Sequence, residues 1–387
     1  MDKDNKDNKD NKDNKDDKVK KDDKVKKDKD WLEAQIEANS IKSFNHAEFS
    51  NIVRVGEGGY GNVYKAYWKS RRMTVALKAL KAIPDETTRE FVRELRLLRN
   101  VFYHHRINQF LGITKDSKSN YVMVLQYADG GNLRDYIRKS VNPLTWPEKY
   151  RIALEIAEGL LCLHAEGILH RDLHPKNVLV HKGNMLIADF GLSKEESSTS
   201  SNSSVKGTPA YIDPQCHIQD KYKRSKKSDI FSFGMILWEL SSEREPFAGE
   251  KDFQVVLKIS QGIREKMVEG TPESYFRLYT ECWNQEPEER PKIEDVVEIL
   301  ESIIKNSTDD YSSNTSNTSN PSNPSNLSNS LLIPPVPIHN STYTYSLNTG
   351  EMNSEIKEEI YKQSPLYVNH NSYSIGTSGS LYMDEDI

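Results

Sequence analysis

Apolar positions recur along this chain in distinct rhythms, and each rhythm predicts an element. Ile52 to Val55 and Asn62 to Trp68 are rich in β-branched and aromatic residues, the composition of strands, with glycines between them. "MTVALKALK" follows as a short apolar strand in which Lys78 points the opposite way from Leu77 and Ala79. In "TTREFVRELRLLRNV" the period becomes helical, placing Phe91, Leu95 and Leu98 on one face and Glu90 and Glu94 one turn apart. Val122 to Leu125 reads as a buried strand that enters a polar turn and then a helix. "KYRIALEIAEGLLCLHAEG" predicts a buried amphipathic helix, and "SDIFSFGMILWEL" an almost wholly apolar one.

These rhythms occupy only the middle of the 387 residues. Residues 1–30 are almost entirely Asp, Lys and Asn, and they cannot bury enough apolar area to offset chain entropy, so a disordered tail is expected there. Residues 31–50 read as a linker or N-terminal extension and 51–305 as one large folded domain. Residues 306–387, with "SSNTSNTSNPSNPSNLSNS", read as a second disordered, low-complexity tail.

The opening run mixes 12 Lys with 11 Asp, which cancels the field that a nucleic-acid partner requires, so none is expected. Cys162, Cys216 and Cys282 are odd in number and far apart, which suggests neither a disulfide framework nor a zinc site. No apolar run approaches the ~18 residues of a membrane span, and no signal-peptide core opens the chain. The expectation is a cytoplasmic protein without a membrane partner, with nuclear entry left open.

The first chemical signal is "GEGGYG". Gly56, Gly58 and Gly61, with Glu57, Gly59 and Tyr60 between them, have the G-x-G-x-x-G spacing whose backbone N–H groups can close over phosphate oxygens. A dinucleotide fold would need a helix next, whereas "NVYKAYW" continues as a strand; a P-loop would need G-K-[ST], which is absent. Lys78 alone reads as an edge lysine, yet a helix carrying Glu94 could dock on its strand and orient it towards a phosphate. Glu90, four residues earlier, competes for that role.

In "GILHRDLHPKNVLVHKGNMLIADFGLSK", Asp172, Asn177 and Asp189 follow one another at spacings of 5 and 12 among short apolar runs. With these residues the chain resembles the eukaryotic protein kinases: "GEGGYG", "VALK", "HRDLHPKN", "DFG", "GTPAYIDPQ" and "SDIFSFG" stand in the family's order from about Asn51 to Lys305. The resemblance implies an α+β fold of two lobes, a small β-rich N-lobe with one helix and a large helical C-lobe. It implies ATP as phosphoryl donor, protein substrates, and Mg²⁺, with Mn²⁺ as the alternative.

Moving the γ-phosphoryl of ATP asks mainly for positioning and charge neutralisation. Mg²⁺ prefers hard oxygen ligands and keeps several waters, a demand that Asn177 and Asp189 fit, and Asp172 is left to orient and deprotonate the substrate hydroxyl. By resemblance, Lys78 contacts the α and β phosphates, Glu94 holds Lys78, and Gly56 to Gly61 cover the nucleotide. Val63 and Ala76 would pack on the adenine, Leu125 behind it, and Gln126 to Ala128 would offer backbone groups to its edge. Asp229 would cap the catalytic-loop backbone, with Leu98, His170 and Phe190 stacked in a column on it, a structural role for His170.

Departures from the family set further expectations. Serine/threonine kinases commonly carry Lys two residues after the catalytic Asp; here His174 stands there and Lys176 two positions later, as in tyrosine kinases, and Lys176 is expected to reach the γ-phosphate. "GTPAY", with Thr208, argues for Ser/Thr specificity instead, and the mixed signature resembles the tyrosine-kinase-like group. The alternatives are a tyrosine or dual-specificity kinase, or a catalytically silent nucleotide-binding scaffold. Gln215 replaces the usual Glu opposite Arg290, so a tether weaker by ~1 kcal/mol is expected. Arg171 could pair with a phosphate placed by an upstream kinase at Ser197 to Ser204 or Thr208. Pro334 and Pro337 have the PxxP spacing of an SH3-type ligand.

Overall fold

The structure, a computed structural model, describes residues 25–58, 61–80, 86–197 and 206–315. By its contacts the chain divides into Met1–Thr318 and Ser319–Ile387. The second unit lies outside the described residues, and with it the Pro334 to Pro337 segment.

The glycine-punctuated strands form one hairpin, β2 (Phe49–Gly58) with β3 (Gly61–Trp68), in a register that puts Gly56 opposite Val63 and Gly58 opposite Gly61. They belong to a six-stranded sheet with β1 (Ser43–Phe44), β4 (Met73–Leu80), β5 (Phe110–Lys115) and β6 (Tyr121–Gln126), in the order β1-β5-β6-β4-β3-β2. β4 lies between β3 and β6, so Lys78 is paired on both sides, with Val63 and with Met123. Strand β1 runs parallel to β5, the Ile113 N–H donating to Lys42 O at 2.9 Å. That approach requires Gly112: at φ +148°, a Cβ there would lie 2.4 Å from Lys42 O.

Between β4 and β5 runs α2 (Glu86–Val101), whose Phe91, Leu95, Leu98 and Val101 are buried as the helical period demands. After β6 the chain turns helical: α3 (Leu133–Lys139), α4 (Trp146–Ala165), α5 (Gln215–Ile218), α6 (Lys226–Ser242), α7 (Asp252–Ser260), α8 (Glu273–Cys282) and α9 (Ile293–Thr315). Two small ribbons interrupt them, β7 (Ile168–Leu169) with β10 (Lys194–Glu195) and β8 (Val178–His181) with β9 (Asn184–Ile187). This is the expected two-lobed α+β arrangement, with α6 buried on every side from Ser228 to Ser241. No helix among the described residues is long and apolar enough to cross a membrane.

Where the sequence read as tail and linker, residues 25–37 form a helix, α1. Its Leu32 is fully buried, and Trp31 and Ile36 pack against the core. Trp31 lies under the Arg96 guanidinium, 4.4 Å from ring centroid to cation, Asp28 pairs with Arg96 at 3.1 Å, and Arg99 donates to Gln35 at 2.6 Å. Helix α1 thus rests on the outer face of α2. The Lys/Asp composition concealed a sparse stripe of Val25, Leu32 and Ile36 that is too thin to fold alone but sufficient against a preformed surface. At the other end, α9 continues to Thr315, beyond residue 306 where the tail was expected to begin.

The expectation of a weak Arg290 tether is also corrected. Arg290 is fully buried and forms a two-pronged pair with Asp213, at 2.9 and 3.0 Å, while Gln215 donates instead to Gln285 O at 3.0 Å. Asp213 also accepts from Ser228 and Tyr222. The carboxylate opposite Arg290 has moved two residues along the chain, and the charge-assisted pair is kept.

Asp213→Ala should therefore lower the unfolding free energy by about 3–5 kcal/mol, the cost of stranding a buried guanidinium, against about 1 kcal/mol for Gln215→Ala. Denaturant titration of both variants measures this, and equal losses would return the tether to Gln215. Leu32→Ala should lower stability by about 2–4 kcal/mol, or several degrees in a calorimetric midpoint, while the exposed neighbour change Glu33→Ala leaves it near wild type. Identical midpoints for the two would mean that α1 does not hold the domain.

Candidate active site

Lys78 projects from β4 into the space between the lobes and is 7% exposed. Its Nζ lies 2.6 Å from Glu94 Oε1 on α2 and 2.8 Å from Asp189 Oδ1, on the segment after β9. Glu94 rather than Glu90 takes the lysine, because Glu94 falls on the buried face of α2, 2% exposed, and Glu90 does not.

Two carboxylates share one ammonium here, which leaves one negative charge over. Burial alone would push the Lys78 ammonium down, but Asp189 and Glu94 outweigh it and hold the proton above the ordinary lysine range. Asp189 is pushed up by burial and drawn down further by Lys78, so it stays ionised. Glu94 goes the other way: burial pushes it up in spite of Lys78.

Asp172 and Asn177 stand on the loop between β7 and β8, and that loop is anchored from below. Asp229, near the start of α6 and fully buried, accepts the backbone N–H of His170 at 2.9 Å and of Arg171 at 2.8 Å, with His164 Nε2 at 3.0 Å from the same carboxylate. His170 Nε2 meets Ala188 O at 3.0 Å and its ring lies 5.7 Å from that of Phe190. Leu98, His170 and Phe190 are all buried, and the contacts of His170 are those of a structural residue.

On the upper side of the loop, Asn177 Nδ2 donates to Asp172 O at 2.9 Å and, at 3.3 Å, to Asp172 Oδ2. With its amide nitrogen occupied, Asn177 has its amide oxygen left to offer. Asp189 has one oxygen committed to Lys78 and Gly191 N–H, and its side chain is 33% exposed, open on one side. An amide oxygen and an open, ionised carboxylate fit a hard divalent cation that keeps most of its waters. The Thr208 N–H donates to Asp172 Oδ1 at 3.3 Å. Gly207 allows this approach: its φ is +131°, and a Cβ would sit 3.2 Å from that oxygen.

The remaining expected residues surround this centre. Ala76, 8% exposed, pairs with Leu125 across β4 and β6, and Val63 pairs with Lys78. Gln126 N–H is held by Gln109 O at 2.9 Å, and Ala128 is 9% exposed as the chain leaves for the C-lobe. Glu57 is exposed at the hairpin end and pairs with Arg54; Gly59 and Tyr60 lie outside the described residues. Lys176 has an exposed side chain.

A cationic cluster beside the site was only partly foreseen. Arg171 was named from the sequence; Arg93 on α2, Lys194 on β10 and Arg224 join it. Burial pushes Arg171 down, with Arg224 and Arg93 repelling it further and Asp229 opposing, and burial pushes Lys194 down with Arg171 and Arg93 adding to it. Among the described residues, Nε of Arg171 and Nε of Arg93 are buried without a hydrogen-bond partner. Nothing local in the sequence brings these residues together, since they come from four segments.

The arrangement agrees with the similarities of the sequence. Residues 49–300 match the family model described as protein tyrosine and serine/threonine kinase. The probable serine/threonine-protein kinase drkB of Dictyostelium discoideum is 32% identical over 266 residues, 68% of this chain and 38% of that protein. Mitogen-activated protein kinase kinase kinase 7 of Drosophila melanogaster is 32% identical over 68% of this chain and 39% of its own length. Tyrosine-protein kinase Fer of Rattus norvegicus is 32% identical over 68% of this chain and 32% of its own. The chain spans well under two thirds of the length of these curated relatives. The matched stretch contains every strand of the described sheet except β1, the buried lysine between its two carboxylates and the anchored loop, and the chain belongs to the protein tyrosine and serine/threonine kinase family.

Proposed function

We propose that this chain transfers the γ-phosphoryl group of ATP to serine and threonine hydroxyls of protein substrates. The observation that carries the reading is the placement of Lys78 at 2.6 Å from Glu94 and 2.8 Å from Asp189, a cation held rigidly where phosphates would enter beneath the glycine hairpin. The family uses ATP with a divalent cation. Mg²⁺ is the proposed ion, held by Asn177 and Asp189, with Mn²⁺ as substitute, and when bound it neutralises charge on the transferring phosphoryl group.

Lys78 draws the α and β phosphates into register, and the hairpin from Gly56 to Gly61 closes over them. Val63, Ala76 and the backbone from Gln126 to Ala128 hold the adenine. The substrate hydroxyl oxygen bonds to the γ-phosphorus as its proton passes to Asp172 and the bond to the bridging oxygen of ADP breaks. Lys176, exposed at the rim, offers a further cation to the γ-phosphate. Ser/Thr specificity is supported by "GTPAY", whose Thr208 N–H lies against Asp172 and brings the protein-substrate segment next to the base.

The cationic cluster of Arg93, Arg171, Lys194 and Arg224 supports activation by an upstream kinase. A phosphate on the adjacent loop would find unsatisfied N–H donors and relieve mutual repulsion. Ser197 and Thr208 are its described candidates; residues 198–205 lie outside the described residues. The spacing of Pro334 and Pro337 is what supports an SH3-type partner.

Transfer of labelled γ-phosphate from Mg-ATP to dephosphorylated casein, followed by phosphoamino-acid analysis, should give label on Ser and Thr. The rate should fall by about 10²–10⁴-fold in Asp172→Asn. Label on Tyr would replace the specificity reading, and no transfer even after prior loop phosphorylation would favour the scaffold. Phosphatase treatment should lower wild-type activity about tenfold, the worth of one charge-assisted hydrogen bond of ~1.5 kcal/mol, and should have no further effect on Arg93→Ala. An equal fall in that variant would remove the cluster from regulation.

A further inference from the structure

His174 enters the short turn Pro175–Asn177 as its cap, two residues after Asp172, and is 6% exposed. Three neighbours fix its ring. Nδ1 accepts the Lys176 N–H at 3.2 Å, the Tyr211 ring lies 5.9 Å away, and Nε2 faces Asp172 Oδ1 at 3.7 Å. The Tyr211 hydroxyl is committed elsewhere, to Glu239 and Arg134. Because Nδ1 is occupied as an acceptor, the ring proton belongs on Nε2, so it is an N–H donor that faces the carboxylate.

Among the described residues, that carboxylate is held by long contacts alone. Thr208 N–H and Asn177 Nδ2 each reach it at 3.3 Å, and His174 stands just beyond hydrogen-bond range. Contacts of this length are ones that the arrival of the reacting groups can tighten. The third donor therefore has a purpose, since two long contacts on opposite oxygens still let the plane of the carboxylate rock.

We propose that His174 is a positioning residue for phosphoryl transfer, its Nε2–H closing on Asp172 Oδ1 and fixing the carboxylate plane as the substrate hydroxyl arrives. This rests on the reading of Asp172 as the hydroxyl's proton acceptor. A buried, fixed imidazole ring aims one donor at the carboxylate, where the lysine common at this position in serine/threonine kinases has three donors on a flexible stem. The γ-phosphate then depends for its cations on Lys78 and on Lys176.

Two amide substitutions separate this role from a structural one. In His174→Asn the amide oxygen can take the place of Nδ1 against Lys176 N–H, but nothing reaches the Nε2 position. In His174→Gln the amide nitrogen reaches the Nε2 position and the loop bond is lost. With the full chain, casein and Mg-ATP, His174→Asn should lose about tenfold in kcat with KM for ATP and the thermal midpoint near wild type, and His174→Gln should stay within about threefold of wild-type kcat. Wild-type kcat in His174→Asn, or equal losses in both variants with lowered midpoints, would overturn the proposal. Asp172→Asn, measured alongside, keeps the two readings apart. If it is inactive while His174→Asn is normal, only the role of His174 fails; if it is active, the reading of Asp172 fails and the proposal with it.

Discussion

The pairing of Lys78 with two carboxylates is the constraint on which the rest of the site depends. A buried ammonium without partners costs several kcal/mol, so β4 can carry Lys78 inward only where carboxylates meet it. One partner comes from α2 and the other from the segment after β9 in the opposite lobe, so satisfying one charge fixes three segments of chain at once. The two carboxylates exceed the one cation. Burial pushes Glu94 up, whereas Asp189, pushed up by burial but drawn down further by Lys78, keeps its charge on the open side of the site, which makes that edge attractive to a further cation.

The C-lobe supplies a second fixed point. Arg171 and Asp189 both have left-handed backbone, at φ +68° and +62°, a conformation costing on the order of 1–3 kcal/mol for residues of this kind. Each is held there by a strong acceptor or donor: Asp229 accepts the successive backbone N–H groups of His170 and Arg171, and Lys78 donates to the carboxylate of Asp189. Asp229 itself is immovable because α6 is buried all round. Scaffold strength is thus spent on aiming a few polar groups, with Asp172 at the place where the donors converge.

Helix α1 and the Asp213–Arg290 pair show how context reassigns residues that look unremarkable alone. Trp31 and Asp28 sit in a charged run, yet both engage Arg96 on α2, the helix that also carries Glu94, so the N-terminal extension bears on the element that positions the lysine. Asp213 replaces Gln215 as the partner of Arg290 because, from where the turn before α5 places it, each carboxylate oxygen accepts from one terminal guanidinium nitrogen.

Much of this protein is legible in its sequence because local rules act there. Strand composition, the helical period of α2 and the apolar run of α6 are short-range patterns, and the glycine spacing, Lys78, Asp172, Asn177 and Asp189 form a set that few other arrangements would need. Tertiary structure alone decided what depends on meetings between distant segments. It chose Glu94 over Glu90 by burying one face of α2, and it turned a thin stripe in residues 25–37 into a helix by giving it a surface. It also moved the Arg290 pair to Asp213, and it gathered Arg93, Arg171, Lys194 and Arg224 from four segments. The physical reason is common to all of these. A local pattern sets which way a side chain faces, whereas an ion pair or hydrogen bond between segments exists only once the fold has brought its partners within a few ångströms and removed the water between them.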